Sequence, residues 1–425
     1  MGLRPWILQS RVAICTAAAL CALSFATFLW SPNHQLTDSG YALLVSENLI
    51  RHGDLDLARY RLDSGPGSNY RLEHAGGHVN YYFPVAGSIL SVPYVAVDRL
   101  IGRAIADGDH YDSRVERAVQ ARLAALLMAA FTAIVFFTAR LMLPNGASAA
   151  VALVVAFGTQ VYSTASRTLW SDDWALVLVG LSVYLLLRAA ARDAGRPLVW
   201  LATLESWAYF VRPTNGIVLA GTAILLLLVE RRASWKFFVT AGLWVAAFVG
   251  WSLAQTGEVL PSYFRNRLGG ATGESLVGTL LSPSRGLFVC VPATLAVALL
   301  LVRTWSRLPF RPLVRLAIGI CVAQWLVVAG FDKWWGGHCF GARLFTGLVP
   351  WLALLGVLGL VAARPISRAL TGLLIGLAAL SVLINAAGAI SAETFRWNLQ
   401  PENVDLATGR LWSWSRSQPL APLRD

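Results

Sequence analysis

Apolar runs separated by short polar turns dominate this chain, and the first, residues 12–30, follows Arg4 and Arg11. A bilayer core requires about 20 residues of helix, so this run is predicted to span a membrane. No small-x-small cleavage pattern directly precedes Ser31, which favours an anchor over a cleaved signal peptide. Further spans are predicted near 118–139, 147–164, 173–190, 197–211, 214–229, 236–254, 286–302, 313–331, 345–362 and 368–390. Segment 84–103 is ambiguous. It offers fourteen apolar or small residues, Pro84 to Val97, before Asp98, Arg99 and Arg103, and Pro93 interrupts it.

Arginine placement resolves that segment. With 84–103 kept in the outer interface, Arg140, Arg188/Arg192/Arg196, Arg231/Arg232/Lys236, Arg303/Arg307/Arg311/Arg315 and Arg364/Arg368 all fall on the cytoplasmic side. That is the side on which loop arginines and lysines accumulate. The expectation is an all-α integral membrane bundle of about eleven transmembrane helices, amino terminus inside and carboxyl terminus outside. Residues 1–390 would form this domain, with juxtamembrane helices in a long first outer loop, 31–117, and residues 391–425 a short outward-facing tail. Four polar regions then share the outer face: 31–117, Arg167 to Asp173, 255–285, and Asp332 to Arg343. All six histidines (34, 52, 74, 78, 110 and 338) lie there too.

Composition agrees with a bilayer as solvent. Of 425 residues, 56% are hydrophobic and 14% charged, and the mean hydropathy is +0.58. Basic residues outnumber acidic ones by 35 to 23 and 33 of them are arginine, but they stand singly between apolar runs. That pattern sets topology and argues against nucleic-acid binding. The five cysteines, at 15, 21, 290, 321 and 339, form no CxxC or disulfide framework.

Candidate chemistry lies on the outer face. Asp38 precedes an amphipathic stretch with Tyr41, Leu44, Val45 and Leu49 on one face, a short interfacial helix. It is expected at or near that helix's N-cap, with one carboxylate oxygen left to accept a proton. Asp172 and Asp173 head another span, where they would cap the helix, orient a hydroxyl, or bind a divalent cation such as Mg or Mn. Between Phe331 and Arg343, Gly336 and Gly337 permit close backbone approach, and Lys333, His338 and Arg343 suit a phosphate oxyanion. Trp334 and Trp335 also read as an interfacial aromatic belt. Arg285 at a membrane rim would meet a lipid phosphate or snorkel. His74 and His78 flank a Gly76-Gly77 hairpin turn, which argues against a helical metal pair. Glu205, inside a span, is expected to pair with a nearby arginine such as Arg212.

Several of these segments, in this order, resemble the GT-C superfamily of polyprenyl-phosphate-sugar-dependent membrane glycosyltransferases, which includes protein mannosyltransferases, aminoarabinose transferases and arabinofuranosyltransferases. They are Thr37-Asp38-Ser39-Gly40-Tyr41, Tyr81-Tyr82-Phe83-Pro84 leading to Pro93, and Leu169-Trp170-Ser171-Asp172-Asp173. Arg212-Pro213, Ser282-Pro283-Ser284-Arg285-Gly286, and Trp334-Trp335-Gly336-Gly337 through Arg343 to Pro350 complete the set. The resemblance implies a polyprenyl-phosphate sugar donor, a glycan, lipid or protein acceptor, inversion at the anomeric carbon, and a site facing the periplasm or exterior of a bacterial plasma membrane. Asp38 matches the family's first-loop catalytic acid, and Asp172 or Asp173 its second acidic position. Arg343, with Lys333, His338 or Arg285, would stabilise the leaving phosphate, and Tyr41, Tyr82, Trp334 and Trp335 would line the pocket. No nucleotide cradle is required. The competing readings are a glycolipid transporter or flippase, although no internal repeat is detected, and a GT-C-shaped accessory protein without activity.

Overall fold

A computed structural model describes residues 3–34, 37–60, 62, 69–265 and 269–424, with side chains described from residue 11 onward. Arg4, counted above toward topology, therefore lies outside the described side chains. The fold is helical. Its elements are α1 (Leu3–Trp30), α2 (Ala42–His52), α3 (Ala86–Leu100), α4 (Ser113–Arg140), α5 (Asn145–Phe157), α6 (Gln160–Ser163), α7 (Ser171–Ala191), α8 (Leu198–Val211) and α9 (Gly216–Val229). Then follow α10 (Trp235–Thr256), α11 (Gly273–Leu281), α12 (Leu287–Cys290), α13 (Ala293–Thr304), α14 (Arg311–Ala329), α15 (Val349–Ala362), α16 (Arg368–Ile390) and α17 (Ala392–Arg396). Strands β1 (Leu72–Ala75) and β2 (His78–Tyr81) form the expected antiparallel hairpin, with Ala75 opposite His78. A second, two-residue pair joins β3 (Ala106–Asp107) to β4 (His110–Tyr111).

Among the described residues, seven helices are long and apolar enough to cross a membrane, or eight if α5 and Gln160–Arg167, bent by 42°, count as one broken span. The chain is thus a multi-pass all-α membrane protein. Eleven full-length spans are not what the helices support. The runs at 197–211 and 214–229 give α8 and α9, 14 residues each, and such helices reach only about 21 Å against a hydrocarbon core of about 30 Å. The run at 286–302 is split: α12 ends at Cys290 and α13 begins at Ala293, because Pro292 has no N–H to continue a helical ladder. Segment 84–103 forms α3, only 15 residues long with Pro93 inside it. Its Asp98 carboxylate is held by Arg122 at 2.8 Å and Arg103 at 3.6 Å.

Helix α4 is the hub. Two-thirds of its apolar window (67%) is buried inside the protein, against 17% for α10 and 22% for α16, so the latter two lie at the periphery. Leu123, Met128, Phe131 and Phe136 of α4 are fully buried. Gly180 on α7 permits the close crossing, since a Cβ there would lie 2.9 Å from the Phe131 ring.

Residues 391–424 fold back as a cap on the loop 333–341. Trp397, Val404, Leu411 and Ala421 pack with Trp334 in a small apolar cluster.

Candidate functional site

Asp38 occupies a turn that several side chains hold by its backbone. The Tyr81 hydroxyl donates to the Asp38 carbonyl at 2.7 Å, Arg71 Nε to the Thr37 carbonyl at 2.6 Å, and Gln120 Nε2 to the Ser39 carbonyl at 2.7 Å. The carboxylate does not cap α2. That helix starts at Ala42, its N-cap is Tyr41 in the left-handed region (φ 76°), and no N-cap side chain bonds to it. Glu116, reaching from α4, takes the free N–H groups of Tyr41 at 3.0 Å and Leu43 at 2.8 Å. The expected capping role thus passes to Glu116 and leaves the Asp38 side chain 37% exposed. Tyr70 donates its hydroxyl to Asp38 Oδ1 at 3.5 Å, and the Arg343 guanidinium lies 3.7 Å from Oδ2.

The second acidic position sits in the first turn of α7, where negative charge meets the positive end of the helix dipole. Neither aspartate caps it, since the N-cap is Trp170 and no side chain bonds there. Asp172 pairs with Arg212 at 2.8 Å, both nearly buried. Arg212 therefore serves Asp172 and not Glu205, which accepts from the Thr222 hydroxyl at 3.0 Å. Asp173 is fully buried, and neither of its oxygens has a hydrogen-bond partner among the described residues. No cluster of three or more His, Cys, Asp or Glu placed to hold a metal occurs among those residues.

Arg343 joins the two acidic positions. Its guanidinium carbon lies 3.5 Å from the centre of the Trp170 ring, a cation–π stack that holds the group beside Asp38. Tyr263, from the loop after α10, completes the cluster. Burial raises its pKa first; Arg212 and Arg343 act to lower it, and Asp38 and Asp172 to raise it, so all four charges lie within its electrostatic reach. Tyr263 also packs edge-on against Tyr82 with centroids 5.8 Å apart. The two line a shallow, partly open groove together with Phe83, Phe248, Trp251 and Phe264. Tyr41 lies deeper: it is 9% exposed, packs edge-on against Tyr111 and accepts from Asn69 at 2.8 Å.

Five other expected site residues face the carboxyl-terminal cap and not Asp38. Lys333 Nζ pairs with Asp405 at 2.6 Å, Trp335 Nε1 donates to the same carboxylate at 2.8 Å, and His338 Nε2 lies 2.9 Å from Asn403 Oδ1. Trp334 is buried against Trp335 and Trp412. Arg285 is 3% exposed. Its Nε donates to the Trp335 carbonyl, its NH1 to Ser284 O and Gln418 Oε1, and its NH2 to Gly337 O and Asn398 Oδ1. A guanidinium has five N–H donors, and all five are used, so none remains for a lipid phosphate.

The Asp405 latch carries a pH signature. Burial pushes its carboxyl up, but hydrogen bonds from Lys333 and Trp335 outweigh this and hold its pKa below the usual 3.8. The unfolded chain thus binds the proton more readily. The latch contributes fully above about pH 4 and loses that contribution as pH falls through the lowered folded value. Hydrogen exchange across residues 398–412 is expected to rise on acidification and to lose that rise in Asp405→Asn; an acid response unchanged by the substitution would contradict the assignment.

Glu116, Gln120, Trp170, Tyr263, Asp405 and Gln418 were not singled out from the sequence. Glu116 alone left a signal, a carboxylate at the head of an apolar helix, where an acid needs a partner. A scan against protein-family models and a search of curated proteins both find no match for this chain.

Proposed function

We propose that this protein is a GT-C-like membrane glycosyltransferase, moving a sugar from a polyprenyl-phosphate donor to an acceptor hydroxyl with inversion. The observation that carries this reading is Asp38. Its carboxylate is uncapped and part-exposed, 3.7 Å from a guanidinium that is itself stacked on Trp170. Asp38 accepts the proton of the acceptor hydroxyl as its oxygen attacks the anomeric carbon. The bond from that carbon to the phosphate oxygen breaks on the opposite face, its electron pair passes to the phosphate, and Arg343 meets the growing charge. Donor phosphate and Asp38 compete for the same guanidinium, so donor binding frees the carboxylate. Asp173, buried at the head of α7 beside the Asp172–Arg212 pair, is assigned to orienting the acceptor or to holding a divalent cation. Arg285, Lys333 and His338 support the Arg343 loop from the cap side. The arginine-rich loops argue for this site facing away from the cytoplasm, with the amino terminus inside, and the family resemblance implies the periplasmic or outer side of a bacterial plasma membrane.

The test supplies radiolabelled polyprenyl-phosphate sugars to membranes with and without the chain. Chain-dependent transfer of label to a new product supports the reading. Label that crosses the bilayer without forming a product supports the flippase reading, and neither result leaves a scaffold. Arg343→Ala is expected to raise the donor KM by roughly tenfold or more, the usual loss of a charge-assisted hydrogen bond. An unchanged donor KM would remove Arg343 from the phosphate site.

A further inference from the structure

We infer that Glu116 and Gln120 are positioning residues, one turn apart on α4, that set the spacing between Asp38 and the Trp170–Arg343 stack. The inference rests on the glycosyltransferase reading for its kinetic consequence, but its structural part stands apart from it.

Both side chains are fully buried and point to the same place. Glu116 takes the N–H groups of Tyr41 and Leu43, the Tyr111 hydroxyl, and Gln120 Nε2 at 3.1 Å. Four donors on two oxygens leave no room for an amide, because a glutamine has one acceptor and would point its NH2 at a donor. The bonds to Tyr41 and Leu43 hold a non-glycine residue at φ 76°, a conformation that persists only where its surroundings enforce it. Gln120 works in two directions. Its Nε2 donates to the Ser39 carbonyl at 2.7 Å, next to Asp38. Its Oε1 accepts from the Thr168 hydroxyl at 3.0 Å and the Leu169 N–H at 3.4 Å, next to Trp170. Thr168 and Ser39 close the ring with hydroxyls 2.9 Å apart. Asp38 and Trp170 thus hang from one amide group on a rigid helix, and Arg343 lies against both.

The test compares Gln120→Met, which keeps length and removes all four side-chain hydrogen bonds, with Gln120→Glu, which keeps volume and the acceptor but not the donor to Ser39. Glu116→Gln is the third variant. Hydrogen exchange in lipid nanodiscs is expected to rise across residues 37–45 in all three, and across 166–170 as well in Gln120→Met. Exchange unchanged in both segments overturns the clamp, whatever the activity. In the transfer assay, Gln120→Met is expected to lower kcat by about 10²-fold with donor KM nearly unchanged, as befits a misplaced base beside an intact phosphate site. Raised exchange with native kcat would make the clamp structural only and overturn the positioning role. Where Gln120→Met fails to fold, Gln120→Glu decides by the same two readings. A wild-type protein that yields no product would end the glycosyltransferase reading and the kinetic half of this inference with it, while the exchange data would still decide whether the clamp exists.

Discussion

Asp38→Asn is expected to reduce sugar transfer by roughly 10²- to 10⁴-fold, the usual contribution of a general base, while the protein folds as before. The carboxylate caps no helix, since Glu116 fills that role for α2. An asparagine keeps an oxygen for the Tyr70 hydroxyl and changes neither side-chain size nor the backbone bonds to the Asp38 turn. Proton acceptance is lost, and with it the negative charge facing Arg343 at 3.7 Å. Steady-state kinetics of the purified variant, with its thermal unfolding in the same detergent, separate the two effects. Transfer at the normal rate would remove Asp38 from the mechanism; a large drop in melting temperature would return it to a structural role.

Arg285→Met is expected to destabilise the protein on the order of 3 kcal/mol or more, since each hydrogen bond to a charged group contributes about 1.5–3 kcal/mol. Five hydrogen bonds from one guanidinium are lost at once, to the Trp335–Gly337 loop, to Ser284, and to Asn398 and Gln418 of the cap. Gln418 would keep its bonds to Gly341 N–H at 3.1 Å and the Cys339 carbonyl at 2.9 Å, so the cap is expected to loosen before it detaches. Thermal unfolding and limited proteolysis between residues 397 and 424 read this directly. A native melting temperature combined with weakened donor binding would restore Arg285 to the phosphate.

The helical, multi-pass character of the chain was legible because a bilayer demands runs of about 20 apolar residues and the runs are there. Span number was less legible. Hydropathy does not register the break at Pro292, nor the gap between a 14-residue helix and a full crossing. The four polar segments expected to share one face do supply the cluster: Asp38, Trp170 with Asp172 and Asp173, Tyr263, and Arg343. Individual roles were harder to read, for a definite reason. Capping rules look a few residues along the chain, whereas the group that caps α2 stands 75 residues from Tyr41. Likewise the partners that absorb Arg285 lie 113 and 133 residues away. An arginine between apolar runs looks the same in sequence whether it meets a lipid or a glutamine from the far end of the chain.

The cap formed by residues 391–424 also has a consequence for biosynthesis. Every helix of the bundle leaves the ribosome before it, so the bundle can insert while the loop bearing Arg343 still lacks its backing from Asp405, Asn398 and Gln418. The loop bearing Arg343 therefore reaches its final packing only after residues 391–424 have followed the bundle out of the ribosome.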